Sequence, residues 1–106
     1  MNLYNLINGE ISLEDLLNYY NANITYLKLP KDIDGCVFNY DGIYNIFIKN
    51  GLPDSKKKET LLHELAHIEL NQFNQINNEI FALNTVKYED EADRYIKFLK
   101  GSGKND

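Results

Sequence analysis

The sequence predicts a small α+β domain with an N-terminal helix, a three-stranded, mainly antiparallel sheet containing a hairpin, and C-terminal helices. Three observations carry that reading. A serine-capped apolar stripe opens the chain, and three β-prone runs punctuated by Pro, Asp-Gly and Asn-Gly follow it. A stretch from Asp54 to Lys100 then contains neither Gly nor Pro. Strands and helices segregated along the chain, rather than alternating, give α+β layering instead of a wound parallel sheet.

Each element has a local cause. Ser12 can cap a helix reaching about Tyr20, in which Leu13, Leu16, Leu17 and Tyr20 fall on one face. Residues 24–29 alternate as a strand does and stop at Pro30. Gly35–Tyr40 and Ile43–Lys49 are β-prone runs joined by Asp41-Gly42. Asp-Gly favours a type I′ hairpin turn, in which both central residues need positive φ. Asn50-Gly51 turns the chain again, and Pro53-Asp54-Ser55 supplies helix-start signals. The remainder reads as helical, with a loop inside 71–78 where Asn and Gln crowd and the apolar stripe lapses. The last helix is expected to end at Gly101. The whole of 1–106 reads as one domain, with 101–106 as its frayed tail.

Composition excludes several classes. At 106 residues the chain supports a single modest core. A hydrophobic fraction of 43% and an aromatic fraction of 12% belong to a globular protein rather than a disordered one. A mean hydropathy of −0.46, with no apolar run near the ~18 residues a bilayer span needs, argues against a membrane protein. A net charge of −5 argues against direct nucleic-acid binding, which needs a basic face. Lys56-Lys57-Lys58 is the one dense basic run and reads as a solvated face. No basic region followed by an apolar run opens the chain, and Cys36 is its only cysteine; both point to a reducing, cytoplasmic setting. Cys36 itself reads as a small buried strand residue.

The densest chemistry is His63-Glu64-Leu65-Ala66-His67, which uses both histidines of the chain. Residues four apart on a helix share a face, with Cβ atoms about 5–6 Å apart. Two imidazoles so placed can hold one Zn²⁺ at about 2.0–2.1 Å. Glu64, next to the first histidine, falls where a carboxylate reaches a water on the metal rather than the metal, the base position of H-E-x-x-H. A catalytic zinc usually has three protein ligands; with no third histidine in the chain, a carboxylate or water must serve. Glu69 lies two residues past His67, about 200° round the helix, and cannot face the same ion. Glu79 would need a tight reversal inside 71–78. The segment Glu89-Asp90-Glu91-Ala92-Asp93 is the better source, because Glu89 and Asp93 stand four apart. Glu89 is assigned to the metal. Asp93 is assigned to the outward ring N–H of a ligating histidine, His63, since such imidazoles are commonly held by a carboxylate. Ala92 lets this helix come close, Tyr88, Ala92, Tyr95, Ile96 and Leu99 form its docking stripe, and Glu91 turns away.

Peptide hydrolysis at such a site needs a donor for the developing oxyanion besides the metal. Tyr44, Tyr88 and Tyr95 are the candidates, and the sequence does not choose among them. The run Ile43, Tyr44, Asn45, Ile46, Phe47 and Ile48 is expected to form an edge strand that pairs with an extended substrate.

The paired motifs, H-E-L-A-H at 63–67 and E-D-E-A-D at 89–93, resemble the ImmA/IrrE metallopeptidase family of gluzincin-type zinc peptidases. That family carries H-E-x-x-H followed by E-x-x-A-[ND] and an aromatic residue two positions on. Here Tyr95 stands where Phe is usual and Ile96 where a small residue is usual. The resemblance spans about 24–99 and implies a small zincin-like domain. It implies one Zn²⁺ per chain held by His63, His67 and Glu89, with Glu64 as general base. It also implies an endopeptidase of phages and mobile elements that cleaves a partner protein such as a helix-turn-helix DNA-binding repressor. The alternatives are a non-catalytic or latent zinc-binding regulator that acts by binding a partner, and a zinc hydrolase acting on a non-peptide bond.

Overall fold

The computed structural model describes the backbone of residues 1–71, 74–76, 79–81 and 86–102, and the side chains of 1–71 and 93–101. Its elements run α1 (Leu3–Ile7), α2 (Leu13–Tyr20), β1 (Ala22–Leu27), β2 (Gly35–Tyr40), β3 (Ile43–Lys49), α3 (Asp54–Leu70), β4 (Asn74–Ile76), β5 (Glu79–Phe81) and α4 (Val86–Ser102). The fold is α+β: one mixed sheet with α2 and α3 packed against it, and α1 and α4 packed on the other helices.

Local chemistry explains the element ends. Ser12 caps α2 through a capping box, its hydroxyl accepting from the Asp15 N–H while the Asp15 carboxylate accepts from the Ser12 N–H. Asn21 closes α2 in the left-handed region at φ 62°. Asp41 and Gly42 have φ of 52° and 82°, the signs a type I′ turn requires. Asp54 begins α3 without a side-chain cap, but its charge sits in the first turn, where it meets the positive end of the helix dipole.

The sheet order is β1-β3-β2-β5-β4, with β1 parallel to β3 and the other pairs antiparallel. The three expected strands are its larger part. Two three-residue strands extend it, and β4 (Asn74–Ile76) falls inside the segment read as loop. Asn is a poor strand former, and here the segment is held in the sheet by antiparallel pairing with β5, which in turn pairs with β2. Strand β3 is not an edge: Ile46 faces Ile24 of β1 on one side and Val37 of β2 on the other. The expected substrate edge at Ile43, Tyr44, Asn45, Ile46, Phe47 and Ile48 is therefore corrected, because both rows of backbone groups are committed within the sheet.

Val37, Ile46 and Ile48 are buried on the helix-facing side of the sheet, against Leu65, Ala66 and Leu16. The C-terminal half of α3 is covered all round, with every residue from Glu64 to Ile68 buried. A helix enclosed on all faces is normally apolar throughout; this one carries Glu64 and His67, and those two residues define what must be explained.

The hairpin that brings β2 against α3 depends on its turn. Gly42→Ala, which forces a Cβ at φ 82°, is expected to destabilise the protein by about 1 kcal/mol in urea denaturation. An unchanged midpoint would show that the turn conformation does not matter to the fold.

Candidate metal centre and cleft

Helix α3 presents His63 and His67 one turn apart, with ring planes at 86° and Nε2 atoms 3.2 Å apart. Two nitrogens bound to one tetrahedral zinc at about 2.0–2.1 Å lie about 3.3 Å from each other. The pair therefore has the spacing of two ligands to a single ion. His67 has no solvent exposure, so its ring is held in place by packing as well as by backbone position.

Asp93, on α4, places Oδ1 3.1 Å from His63 Nδ1. A carboxylate beside Nδ1 favours the imidazole tautomer that donates from Nδ1 and leaves the lone pair on Nε2. That tautomer turns the lone pair toward His67. Glu89 occupies the position one turn before Asp93 on α4, and its side chain lies outside the described residues, as does that of Tyr88. Among the described residues no third ligating side chain joins the two histidines. The backbone of α4 puts Glu89 one turn before Asp93, on the helix that meets α3 at His63.

Glu64 is 2% exposed. Its carboxylate shares a cleft of about 580 Å³ with His63, Asp93, Thr60 and Gly35, enclosed by α3, α4 and the start of β2. The cleft mouth is electrically mixed: Lys56 Nζ lies 3.8 Å from Asp34 and 3.7 Å from Glu59. Cys36, beside Gly35 on β2, has its thiol pKa raised by burial and then by the Glu64 charge, both of which favour the protonated form.

Gly35 is the residue that sequence reading passed over. A Cβ built there would stand 2.7 Å from Thr60 Cγ2, 3.2 Å from Phe47 O and 3.4 Å from Glu64 Oε2. Only glycine lets β2 lie this close to α3 beside the carboxylate. The available signal was a lone Gly opening a β-prone run, which marks close backbone approach.

The tyrosine candidates divide. The Tyr95 hydroxyl donates to Glu69 Oε2. Glu69 lies about 200° around α3 from His67, so Tyr95 is corrected as an oxyanion donor. Burial and the Glu69 hydrogen bond both hold its proton on, raising its pKa well above the usual phenol range. Tyr44 packs half-buried against the core from β3 and is not among the described residues that line the cleft.

The IrrE N-terminal-like domain, a peptidase family, matches residues 17–97. That match covers most of the chain and includes both α3 and the stretch of α4 bearing Asp93, so the chain belongs to this family of, in general, zinc metallopeptidases. No curated protein and no solved structure matches it. No helix among the described residues is long and apolar enough to cross a membrane.

The Gly35 contact can be isolated. Gly35→Ala is expected to destabilise the protein by about 1–3 kcal/mol, the usual range for overpacking. In a Thr60→Ser background, which removes the Cγ2 only 2.7 Å away, much of that loss should disappear. Equal losses in both backgrounds would show that the strand-to-helix approach is not what requires glycine.

Proposed function

We propose that this member of the IrrE N-terminal-like family is a zinc-dependent endopeptidase whose substrate is a partner protein, such as a helix-turn-helix DNA-binding repressor. The observation that carries the reading is the convergence of His63 and His67 Nε2 at 3.2 Å beside a buried Glu64. His63, His67 and Glu89 would hold the ion. When bound, zinc supplies a Lewis acid that polarises the scissile carbonyl and brings the pKa of water to about 7.

The chain's own residues do the rest. Asp93 accepts from His63 Nδ1 and so fixes the tautomer and ring orientation. The Glu64 carboxylate takes a proton from the attacking water and delivers it to the leaving amine. Gly35 leaves room for that carboxylate between β2 and α3.

We infer β2, in place of β3, as the strand with which a substrate would pair. Tyr40 and Ile43 flank a two-residue turn and form a hydrogen-bonded pair, so Phe38 and Cys36 direct their backbone groups to β3. Gly35 and Val37 direct theirs to the opposite side. Strand β5 pairs with β2 only at Phe38 and Asn39 among the described residues. An extended peptide adding to β2 at Gly35 and Val37 would lie across the cleft that holds Glu64.

Glu64→Gln is expected to keep one zinc per chain while losing 10²-fold or more in peptide turnover, about the low end for general-base removal. Full turnover in that variant would reject the hydrolytic role of Glu64. Metal analysis of Glu89→Ala and Glu91→Ala assigns the third ligand: zinc should be lost from the first and kept in the second. Zinc retained in both would reject Glu89. Strand addition at β2 predicts slower cleavage of substrate peptides methylated at alternate backbone nitrogens near the scissile bond, and equal rates would reject it.

A further inference from the structure

A second polar cluster is built on the side of α3 away from the histidines. The Glu69 carboxylate accepts from three donors on three other helices. They are the Leu3 N–H at the start of α1 (2.7 Å), the Tyr20 hydroxyl at the end of α2 (2.6 Å), and the Tyr95 hydroxyl on α4. Burial and contact with Glu69 raise the pKa of both phenols, so each stays a donor across the ordinary pH range. No part of the mechanism above uses this cluster.

Its placement on α4 connects it to the cleft. Tyr95 stands two residues past Asp93, so among the described residues α3 and α4 are bridged by His63–Asp93 on the cleft side and by Glu69–Tyr95 on the other. The Asp93 side chain is 61% exposed, and a contact so open to water contributes little to holding two helices in register. Ile96 and Leu99 bury α4 in the core, where close packing resists large rotations but adds no directional bond between the two helices. A rotation of about 20° moves a side-chain tip on a helix of roughly 6 Å radius by about 2 Å. That movement is enough to break the His63–Asp93 hydrogen bond. A hydrogen bond to a charged acceptor has a defined length and direction, and it resists such rotation.

We propose that Glu69 and Tyr95 are positioning residues for the metal centre, locking the rotation of α4 on α3 so that Asp93 stays against His63 and the Glu89 position stays in register. The inference rests on the metal-centre reading above, and its experiment separates the two. Tyr95→Phe and Tyr20→Phe each delete one hydroxyl donor to the same carboxylate, but only the first releases α4. Four quantities would be compared in wild type and both variants. They are zinc affinity by competition with a chromophoric chelator, the absorption spectrum of the Co²⁺-loaded protein, thermal midpoint, and the His63 imidazole ¹⁵N shifts of metal-free protein at one alkaline pH.

Tyr95→Phe is expected to weaken zinc binding about tenfold, the low end for loss of an orienting partner. It should also change the cobalt spectrum and diminish the Nδ1–H tautomer of His63. Tyr20→Phe should leave all three as in wild type, even where it lowers the thermal midpoint as much. Matching changes in the two variants, or metal affinity that simply follows the thermal midpoint, would overturn the proposal in favour of general scaffolding. Wild-type protein that takes up no zinc would defeat the metal-centre reading itself. The imidazole shifts would then still decide, because a His63 tautomer unchanged by Tyr95→Phe overturns the positioning role without any metal.

Discussion

Burying the C-terminal half of α3 is the constraint on which the rest of the structure depends. From Glu64 to Ile68 every residue of that helix is buried, and the run includes a carboxylate and an imidazole. Polar groups withdrawn from water must be met by partners or the fold loses several kcal/mol for each. The neighbouring elements supply space at Glu64 and partners at the part-buried His63 and Glu69 on either side of the run. Strand β2 offers glycine where Glu64 needs space, α4 brings Asp93 to His63, and α1, α2 and α4 each send a donor to Glu69. The sheet supplies the apolar half of the same bargain, with Val37, Ile46 and Ile48 packed beneath Leu65 and Ala66.

What could be read from the sequence was local. The Ser12 cap, the Asp41-Gly42 turn and the histidine pair are each determined within four residues, and each sits where its own chemistry puts it. The contact of Asp93 with His63 spans thirty positions. It was still inferable, because two helices of known period and one rule about ligating imidazoles restrict the choice. Strand order was not inferable in this way. A hairpin specifies which strand lies across its turn but says nothing about the far side, and here β1 claims that side of β3 by a parallel pairing. The helix α1 spans five residues, too few to announce itself by periodicity, and it is held by tertiary contacts such as that between its Leu3 N–H and Glu69.

The Glu69 cluster shows a different kind of illegibility. By sequence Glu69 stands on the wrong face for metal, and Tyr95 stands in an apolar docking stripe. Both descriptions hold as far as they go: the face is wrong for metal, and Tyr95 does dock α4. The structure adds that they dock against each other, joined by a hydrogen bond between elements whose separation along the chain carries no periodic signal. Donor and acceptor capacity is visible in sequence; pairing is not, because Tyr20 and the Leu3 N–H were equally capable of other partners.

The burial of Glu64 also bears on what kind of protein this is. A carboxylate that is 2% exposed has lost most of its hydration, and replacing such groups by apolar residues of similar size is often neutral or stabilising. A scaffold that only held zinc and bound a partner would gain nothing from keeping an acid there, since the ligands proposed above do not include it. The site instead reserves space for that acid, with a glycine on the facing strand whose replacement would crowd Thr60 and the carboxylate alike. A buried acid that costs stability and has room made for it beside two converging imidazoles makes physical sense as a proton carrier, which is why hydrolysis, rather than partner binding alone, is the reading the geometry supports.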